Sequence, residues 1–533
     1  MPHCNIIAVR CFVPGIGKGK ELFSRIYCAA LDGIEAVVVQ AEADVSDGLP
    51  VFDMVGLPAS EVKEAKDRVR VALKNSGYLL PAKRITVNLS PADLRKDGTV
   101  FDVPIAVAVL TAAGYLSGDN TEDILFVGEL SLDGSVNPVN GVLPIVYEAQ
   151  RQGFRYCMVP FGNFSEAVAI QGIEILPVKN IQEVILYTKN PDAFYSGYEK
   201  AIEKYENLQS IENDETEDFS SLIGQTIARR AVEIAAAGHH NILMIGPPGA
   251  GKTMIAKRIP GILPELTTDE SIEITKVYSV AGKLETKGLL IKKRPFRAPH
   301  HTVSVSALVG GGRKAKPGEV SLATNGVLFL DELPEFPRAV IEVLRQPLEE
   351  KRICVDRVLS NAVYPANFML VAAMNPCKCG YYPDRRKCTC SENQVRQYRG
   401  KLSQPLLDRI DICIELSAVP YSEWFSDTKS ESSESIRKRV SKARRIQEER
   451  YNDQSFNTNA LIPSSKIEEY CPLGVYEKDI MMNALQKMEL SGRGYHKILR
   501  VARTIADMDE SGQITEKHLC EALSYRSVGV RGC

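Results

Sequence analysis

A short stretch in the middle of the chain, Gly246–Thr253 or "GPPGAGKT", carries residue types and a spacing that bind phosphate. Glycines let backbone N–H groups wrap an anion at the start of a helix, where the helix dipole also favours negative charge. In the pattern G-x-x-x-x-G-K-[ST], Lys252 reaches the β- and γ-phosphates, and Thr253 offers a hydroxyl to Mg²⁺. The preceding apolar run predicts a strand, and the segment predicts an ATP site made of Gly246, Pro247, Pro248, Gly249, Ala250, Gly251, Lys252 and Thr253.

Two further apolar runs end in polar residues that suit bound MgATP. The run "GVLFLDE" ends in Asp331 and Glu332, and "FMLVAAMN" ends in Asn375. We expect Asp331 to hold the Mg²⁺ shell and Glu332 to orient or deprotonate the attacking water. In ring-forming ATPases of the AAA+ class, a polar residue at the position of Asn375 senses the γ-phosphate. The sequence therefore predicts a Mg²⁺-dependent ATPase.

Arginines later in the chain are candidates for stabilising charge in the transition state. Arg409, in "LLDRID", is predicted to project into the ATP of a neighbouring subunit as a finger. The alternative for Arg409 is an ion pair within the chain, with Asp408 or Asp411. From the helical C-terminal block, Arg493 is expected to reach the same nucleotide, with Arg500 as the competitor for that role.

Four of the thirteen cysteines form two Cys-x-Cys pairs in one polar loop, and these are Cys377, Cys379, Cys388 and Cys390. Four thiolates around Zn²⁺ would close a loop that has too little apolar surface to fold unaided. The spacing is tighter than the common Cys-x₂₋₄-Cys, and two disulfides or four unligated thiols are the alternatives. We favour a structural zinc without an open position for catalysis. It is expected to brace an insertion beside the subunit interface, near Arg409.

Two adjacent histidines, His300 and His301 in "RAPHHTVSV", are by residue type candidates for a metal ligand or a general base. Adjacent side chains point in different directions on a strand or a helix. A structural role, or contact with a partner, is therefore favoured for both.

Two basic segments are candidate DNA contacts. The glycine-rich "LVGGGRKAKPGEV" holds Arg313, Lys314 and Lys316, and the predicted hairpin "EEKRICVDRVLSNAVYPAN" holds Arg352 and Arg357. Lysines and arginines on such loops grip phosphates without reading bases. Solvated turns are the alternative, so the DNA contact stays open at this point.

Length and composition fit a multidomain globular protein. The 533 residues have a formal charge of −2 and 44% hydrophobic residues, so any nucleic-acid binding must rest on local patches. No apolar run approaches the length of about eighteen residues that a membrane span needs. The odd number of cysteines and the absence of a secretory leader predict a cytoplasmic protein. Composition shifts divide the chain into an atypical extension at 1–21, a first domain at 22–190, an acidic linker at 191–219, an ATPase core at 220–420 with the cysteine insertion at 376–391, and a helical block at 430–533.

From Phe23 to the C-terminus, the chain resembles the magnesium-chelatase-like AAA+ ATPases of the ComM/YifB type. The resemblance rests on "DVSDGLPVFDMVGLP", "RITVNLSPADLRKDG", "FRAPHHTVSVSALVGGG", "PGEVSLATNGVLFLDELPEF", "MNPCKCGYY" and "LLDRID". It implies an α/β protein with a Lon-proteolytic-domain-like α+β first domain, an αβα P-loop core and a C-terminal helical lid. It also implies a homohexameric ring that couples ATP hydrolysis to DNA branch migration in natural transformation. The alternative is an ATPase that remodels a protein partner, as the similar chelatase subunit does.

Two departures from the family pattern qualify this resemblance. Lon-type proteases use a Ser and a Lys, but here Val100 of "KDGTVFD" and Leu143 of "VNGVLPIV" occupy those places. Neither side chain can serve as a nucleophile or a base, so we expect a non-proteolytic relative. Relatives also tend to start with Met next to "FSRIY". This chain has Leu22 at that place, which suggests that translation begins at Leu22.

Overall fold

A computed structural model describes residues 22–118, 121–190, 217–284, 290–312, 315–357, 360–418, 430–488 and 490–526. The extension at 1–21, most of the predicted linker at 191–219, Arg313 and Lys314 lie outside the described residues. The same holds for the side chains of Leu22 and Arg357.

The first domain is built on a seven-stranded mixed sheet with the strand order β3-β4-β2-β1-β5-β8-β9. Strands β1, β2 and β4 pair antiparallel, and β5, β8 and β9 continue the sheet in parallel. The strands of this domain are β1 (Leu22–Asp32), β2 (Glu35–Ser46), β3 (Phe52–Val55), β4 (Arg84–Ser90), β5 (Ile124–Phe126), the short pair β6 (Glu129–Leu130) and β7 (Val136–Asn137), β8 (Tyr156–Pro160) and β9 (Glu174–Val178). Its helices are α1 (Ser60–Lys63), α2 (Ala65–Asn75), α3 (Asp102–Ala112), α4 (Val142–Arg151), α5 (Phe164–Ala167) and α6 (Ile181–Lys189).

The apolar pattern of this domain accounts for its layers. Strand β2, "EAVVVQAEADVS", alternates buried and more exposed residues from Val39 onward, as a sheet packed on one face requires. Helix α3 reads "DVPIAVAVLTA" and is buried along its whole length. It packs on β1 and β2, so an apolar helix fills the centre of the domain.

The second domain has a five-stranded parallel sheet with the strand order β11-β14-β17-β10-β18. These strands are β10 (Ile242–Ile245), β11 (Phe296–Arg297), β14 (Val327–Leu330), β17 (Met369–Met374) and β18 (Ile412–Glu415). Four of them are runs of apolar residues that are almost entirely buried, as expected for strands covered on both faces. Because all the strands are parallel, the segments that follow β10, β14 and β17 leave the sheet at the same edge, which is formed by the carboxyl ends of the strands.

Short helices and two hairpins surround this sheet. The helices are α7 (Thr226–Gly238), α8 (Lys252–Arg258), α9 (Thr268–Ala281), α10 (Val305–Val309), α11 (Glu319–Leu322), α12 (Arg338–Glu342), α13 (Arg345–Glu350), α14 (Glu392–Arg399) and α15 (Gln404–Leu407). The hairpins pair β12 (Gly310–Gly311) with β13 (Lys316–Pro317), and β15 (Arg352–Arg357) with β16 (Ser360–Pro365).

The C-terminal block is helical, as predicted. Its helices are α16 (Ser433–Arg450), α17 (Ile467–Tyr470), α18 (Val475–Met488), α19 (Gly492–Met508) and α20 (Glu516–Ser524). Buried residues of α16 and α19, such as Val440 and Ile498, share one apolar cluster with Ile242 and Met244 of β10. Helices α16 and α19 pack on α7, which contacts β18, so the block lies on one face of the parallel sheet. Within the described ranges, no helix is both long and apolar enough to cross a bilayer.

The first domain and the core are joined through helix α9. The Ser279 hydroxyl donates to the buried carboxylate of Glu166 at 2.7 Å, and the Lys276 ammonium lies 2.7 Å from Glu35. The backbone N–H of Gly141 donates to the Ser279 carbonyl at 3.2 Å. These polar contacts fix the core helix against β2 and α4 of the first domain.

A buried ion pair ties helix α19 to the sheet. The carboxylate of Asp411 lies 3.3 Å from the Lys497 ammonium and accepts the backbone N–H of Asn241 at 3.1 Å. Burial opposes ionisation of Asp411, but Lys497 and His240 more than offset it, so the pKa of Asp411 lies well below its usual range. Burial lowers the pKa of Lys497 to about 8, despite Asp411. Both groups are therefore charged at neutral pH.

We expect Asp411→Asn to lower the free energy of unfolding by about 3 kcal/mol, because it leaves Lys497 buried without a counter-ion. Urea denaturation followed by circular dichroism measures the loss. Since the folded-state pKa of Asp411 is depressed and that of Lys497 is about 8, the difference from the parent should be largest between about pH 5 and pH 8. It should shrink in stronger acid, as Asp411 is protonated, and above about pH 8, as Lys497 loses its proton. Asp408→Asn, in the same loop and bonded only to Gln404 among the described contacts, is the control and should change stability little. Equal losses in the two variants would contradict the assignment.

Candidate functional site

The phosphate-loop sequence forms an open turn between β10 and α8. Gly249 and Gly251 have positive φ values of 78° and 86°, which only glycine adopts readily. A Cβ added at either position would meet no described atom within 4 Å, so both glycines face open space. Gly251 also leaves the first N–H groups of α8 without a side-chain cap. The turn thus offers both the room and the unpaired donors that a phosphate needs.

Lys252 is held inside this turn and points at the end of β17. Its ammonium donates to the carbonyls of Gly246 at 2.6 Å and Pro247 at 3.0 Å, and to Oδ1 of Asn375 at 3.1 Å. Burial lowers the pKa of Lys252, and the charges of Asp331 and Glu332 act against that shift. The structure therefore brings the predicted Lys252 and Asn375 together.

Thr253 and Asp331 also meet, as the sequence predicts. The Thr253 hydroxyl donates to Oδ2 of Asp331 at 2.8 Å, while Oδ1 accepts the N–H of Glu332 at 2.9 Å. A hydroxyl and a carboxylate oxygen side by side are the hard ligands that Mg²⁺ prefers, so these residues fit that ion. Glu332 has a φ of 51°, a left-handed conformation that is strained for its side-chain type. Its carboxylate is about half exposed, at 54%, and open to the space beside the loop.

His301 is a neighbour of Glu332 that the sequence reasoning missed. Its Nδ1 lies 3.7 Å from Oε2 of Glu332, and its ring centroid lies 4.0 Å from that of His300. We favoured a structural or partner role for the two histidines, without placing either at the nucleotide site. The strand that precedes "APHH", Phe296–Arg297, is only two residues long and includes an arginine, so the sequence carries little signal for it. Because β11 pairs with β14 in parallel, the residues after both strands leave at the same edge.

A second missed group lies on the segment before α7. Gln225 has a left-handed backbone and donates from its side chain to the carbonyls of Ala250 at 3.1 Å and Ser417 at 2.7 Å. This fixes the segment beside the phosphate loop. Ile223, Ile227 and Met254 are exposed there, at 37%, 69% and 48%. Exposed apolar side chains next to a phosphate loop suit the flat base of a nucleotide. The sequence signal for this segment is "LIGQ", residues 222–225.

The four clustered cysteines converge on one point. All four sulfur atoms lie within 4.8 Å of one another, with Cys377 3.3 Å from Cys379 and 3.8 Å from Cys388. A tetrahedral zinc with bonds of about 2.3 Å places its sulfur ligands about 3.8 Å apart, whereas a disulfide needs about 2.05 Å. The backbone N–H of Tyr381 lowers the pKa of the Cys379 thiol to about 6, whereas burial raises the pKa of the Cys388 thiol to about 11, so the thiolate forms readily at Cys379 but not at Cys388. The residues fit zinc, and among the described residues all ten cysteines are free of disulfides.

The expected position of this cluster near Arg409 is wrong. Cys377 follows Asn375 at the end of β17, and a Cβ on Gly380 would lie 2.6 Å from Cδ of Pro248 in the phosphate loop. Arg409 lies just before β18 begins, at the opposite edge of the sheet. The cysteine insertion therefore adjoins the nucleotide loop and not the arginine.

Arg493 lies away from the phosphate loop of its own chain, and its predicted contact with the nucleotide of a neighbouring subunit stays a prediction. Arg409, Arg493 and Arg500 together line a cavity of about 310 Å³, which includes Asn241 at the start of β10. The phosphate loop begins at the other end of this strand, about 16 Å away for an extended chain. The sequence does not reveal on which face of the sheet the helical block packs, so it does not predict where this cavity lies relative to the loop. The competitor Arg500 is bonded to the carbonyl of Ile462 at 2.6 Å.

Arg409 pairs within the chain, but with neither expected partner. Its guanidinium is ion-paired with Glu349 and donates to the carbonyl of Pro405 at 2.5 Å, and its side chain is only 10% exposed. Among the residues that the structure describes, its Nε is buried without a hydrogen-bond partner. Asp408 and Asp411 are engaged with Gln404 and Lys497. The partner Glu349 lies in α13, far away in sequence, so spacing alone did not reveal it.

The two basic segments lie side by side. The Tyr364 hydroxyl of β16 donates to the Ala315 carbonyl at 2.5 Å, and a Cβ on Gly310 would lie 3.4 Å from Val355 of β15. Lys316 and Arg352 are exposed on this joint surface, while Arg313, Lys314 and the Arg357 side chain lie outside the described residues. Arg352 lies 3.7 Å from Glu350. The structure thus joins the two hairpins, and their contact with DNA stays a prediction.

Comparison with known proteins places the chain in a family. Residues 218–424 match the model of magnesium chelatase subunit ChlI, residues 41–163 match a second ChlI model, and residues 430–526 match the ChlI C-terminal model. The chain is 44% identical to competence protein ComM of Haemophilus influenzae, over 94% of this chain and 97% of that protein. It belongs to the ComM/YifB family of magnesium-chelatase-like AAA+ proteins. Identity to the protein YifB of Escherichia coli is 42%, over 95% of this chain and 97% of that protein.

A further relative supports the expected Lon-like first domain. The chain is 31% identical over 127 residues to Lon protease 2 of Bacillus subtilis, which is 24% of this chain and 22% of that protein. Val100 and Leu143, at the places of the Lon nucleophile and base, are buried apolar residues of the domain core. Its lack of proteolytic activity remains a prediction that rests on these two side chains.

The contact between the two hairpins yields a prediction. Tyr364→Phe removes the only hydrogen bond described for the buried Ala315 carbonyl, so the β12–β13 hairpin should open more easily by about 1 kcal/mol. Hydrogen exchange read by mass spectrometry should show about fivefold faster exchange over residues 310–317. Tyr381→Phe, at an exposed tyrosine, is the matched control and should leave this exchange unchanged. Unaltered exchange in Tyr364→Phe would show that the bond does not hold the hairpin.

Proposed function

We propose that this protein is a Mg²⁺-dependent ATPase that drives DNA branch migration as a homohexameric ring. The observation that carries the ATPase part is the convergence of Lys252, Thr253, Asp331 and Asn375 on one open phosphate loop. Membership of the ComM/YifB family supports the same conclusion.

The residues of the site have separate roles in binding the phosphates, holding Mg²⁺ and activating water. Backbone N–H groups of the loop and Lys252 bind the β- and γ-phosphates, and Asn375 meets the terminal phosphate from the end of β17. Thr253 and Asp331 would hold Mg²⁺, which neutralises phosphate charge when bound. Glu332 orients the attacking water and takes up its proton. Ile223, Ile227 and Met254 cover the base.

In the proposed ring, each ATP site receives from a neighbouring subunit the arginines that its own chain does not place there. Arg409 and Arg493 lie at the sheet edge opposite their own phosphate loop, so a neighbour's nucleotide is the one they are placed to meet. To act as a finger, Arg409 must leave Glu349 for the negative charge of that nucleotide. Arg493 is exposed, and Arg500 is occupied by Ile462, which favours Arg493 as the second cation.

The proposed zinc has a structural role. Four thiolates leave no open coordination position, so Cys377, Cys379, Cys388 and Cys390 would take no direct part in hydrolysis.

DNA is the proposed substrate of the motor. Support comes from the exposed Lys316 and Arg352 on two joined hairpins and from the relative whose name is competence protein ComM. The overall charge of −2 fits a protein whose DNA contacts are confined to such a surface. Remodelling of a protein partner, as the similarity to a magnesium-chelatase subunit suggests, is the second candidate.

Substitutions at the loop and at the water site should separate binding from turnover. Lys252→Ala should weaken ATP binding by about a hundredfold, because it removes a charged donor to the phosphates. Glu332→Gln should keep ATP affinity and slow hydrolysis by at least about a hundredfold, since the amide cannot accept the proton. Binding of a fluorescent ATP analogue and phosphate release measure the two effects.

The matched control is Glu335→Gln, which removes a carboxylate three residues further on that pairs with Lys401 at the surface. It should leave both ATP affinity and turnover near the parent values. Normal turnover in Glu332→Gln would refute its assignment as the water-activating residue.

Removing positive charge from the two hairpins should test whether they contact DNA. The double variant Lys316→Gln with Arg352→Gln should weaken binding of a four-way junction and of single strands alike. It should also reduce the slope of log affinity against log salt by up to about two. Fluorescence anisotropy over a range of salt concentrations measures both quantities. ATPase rates with and without the junction report coupling.

The control double variant, Lys442→Gln with Lys517→Gln, removes two exposed charges from the helical block. It should bind DNA like the parent. If the hairpin variant also binds like the parent, these two residues are not the contacts. If no DNA of any form binds or changes the ATPase rate, the motor function fails and protein remodelling takes its place.

A further inference from the structure

The cysteine insertion is packed against the phosphate loop at a glycine. Gly380 lies between Cys379 and the turn Tyr381–Asp384 and has a φ of 89°. A Cβ at this position would lie 2.6 Å from Cδ and 2.9 Å from Cγ of Pro248, and 3.9 Å from the side-chain carbon of Asn375. The insertion therefore touches both the loop that wraps phosphate and the residue that meets Lys252.

Covalent and polar links reinforce this contact. Cys377 is two residues after Asn375, and the Pro376 carbonyl between them accepts from Arg399 Nε at 3.2 Å. The same guanidinium lies 5.3 Å from the centre of the Tyr382 ring, and Arg385 lies 5.1 Å from it. The end of β17 is thereby held by the insertion and by α14 that follows it.

The insertion has almost no apolar core of its own. Its buried cluster consists of Cys377, Cys388, Cys390 and Val395, with Cys379 and Tyr382 packed against it. Three of the four residues in this buried cluster are thus cysteines, whose sulfur atoms can bind a metal. Of the thirteen residues of the intervening "KCGYYPDRRKCTC", five are charged and seven are exposed. A segment of this kind folds when a metal joins its thiolates and opens when the metal is removed.

We propose that a zinc ion bound by Cys377, Cys379, Cys388 and Cys390 holds the phosphate loop in its binding conformation through Gly380, so that nucleotide affinity depends on the metal. The proposal rests on the ATPase function above for the identity of the ligand. The coupling itself is a mechanical link between the insertion and Pro248. Loss of the metal frees Gly380 and the Cys377 end of β17, and the loop then spends part of its time in conformations that do not bind. The apparent affinity for nucleotide then falls in proportion to the fraction of time that the loop spends in its binding conformation.

The test uses the full chain carrying Glu332→Gln, so that ATP is bound but not hydrolysed. Elemental analysis should find about one zinc per chain in protein purified without chelator. Removal of zinc, or the double change Cys388→Ser with Cys390→Ser, should weaken binding of a fluorescent ATP analogue by about tenfold. Hydrogen exchange over residues 246–251 should rise at the same time, and added zinc should reverse both effects of metal removal.

Gly380→Ala separates the contact from the metal. It should retain zinc but weaken nucleotide binding by about tenfold, because the new Cβ displaces Pro248. Gly153→Ala is the matched control, since Gly153 has a φ of 83° and a Cβ there would meet nothing within 4 Å. It carries the same backbone strain and should leave nucleotide affinity and zinc content unchanged. Circular dichroism confirms that each variant is folded.

Three results would overturn the proposal. One is protein without zinc that also fails to take up added zinc. The second is metal removal that leaves both nucleotide affinity and exchange over residues 246–251 unchanged. The third is a Gly380→Ala variant that binds nucleotide as the Gly153→Ala control does. If zinc-loaded protein binds no ATP but exchange over residues 246–251 still responds to the metal, the ATPase function fails and the coupling stands.

Discussion

The parallel register of three strands determines where the chemistry of this protein lies. Because β10, β14 and β17 run in the same direction and pair in register, Gly246, Asp331 and Asn375 emerge at one edge of the sheet. No single helix or loop brings these groups together. A shift of one residue in β14 would turn Asp331 to the other face and remove the Thr253 contact. The buried apolar strands thus fix the register, and the register fixes the site.

Several cationic side chains lie at the opposite edge of the same sheet, where the strands begin. Lys497 and Asp411 tie α19 to the start of β18, and Arg409, Arg493 and Arg500 surround the adjoining cavity. One subunit therefore keeps its phosphate loop and its arginines at opposite ends of strands that are only four residues long. Subunits that meet edge to edge in a ring would bring complementary halves together. The distribution of charge is the physical argument for the proposed assembly.

The sequence predicted the parts whose signals are local. The phosphate loop, the carboxylates after β14, Asn375 and the cysteine cluster each follow from short motifs, and the structure places them as neighbours. What escaped prediction depends on packing between distant segments. Glu349 as the partner of Arg409, His301 beside Glu332 and Gly380 against Pro248 are contacts that no spacing encodes. The side of the sheet on which α19 packs is likewise set by the apolar faces of α16 and α19 together.

The same packing connects the basic hairpin to the arginine cavity. Glu349, which holds Arg409, is the last residue but one of α13, and β15 begins at Arg352, two residues after the helix ends. Lys351 between them has a left-handed backbone and lines the cavity, where burial lowers its pKa to about 8. A force on the hairpin that moves α13 must move Glu349 against Arg409. If the hairpin grips DNA as proposed, displacement of the hairpin would act on Glu349 and, through it, on Arg409, the proposed finger for a neighbouring ATP site.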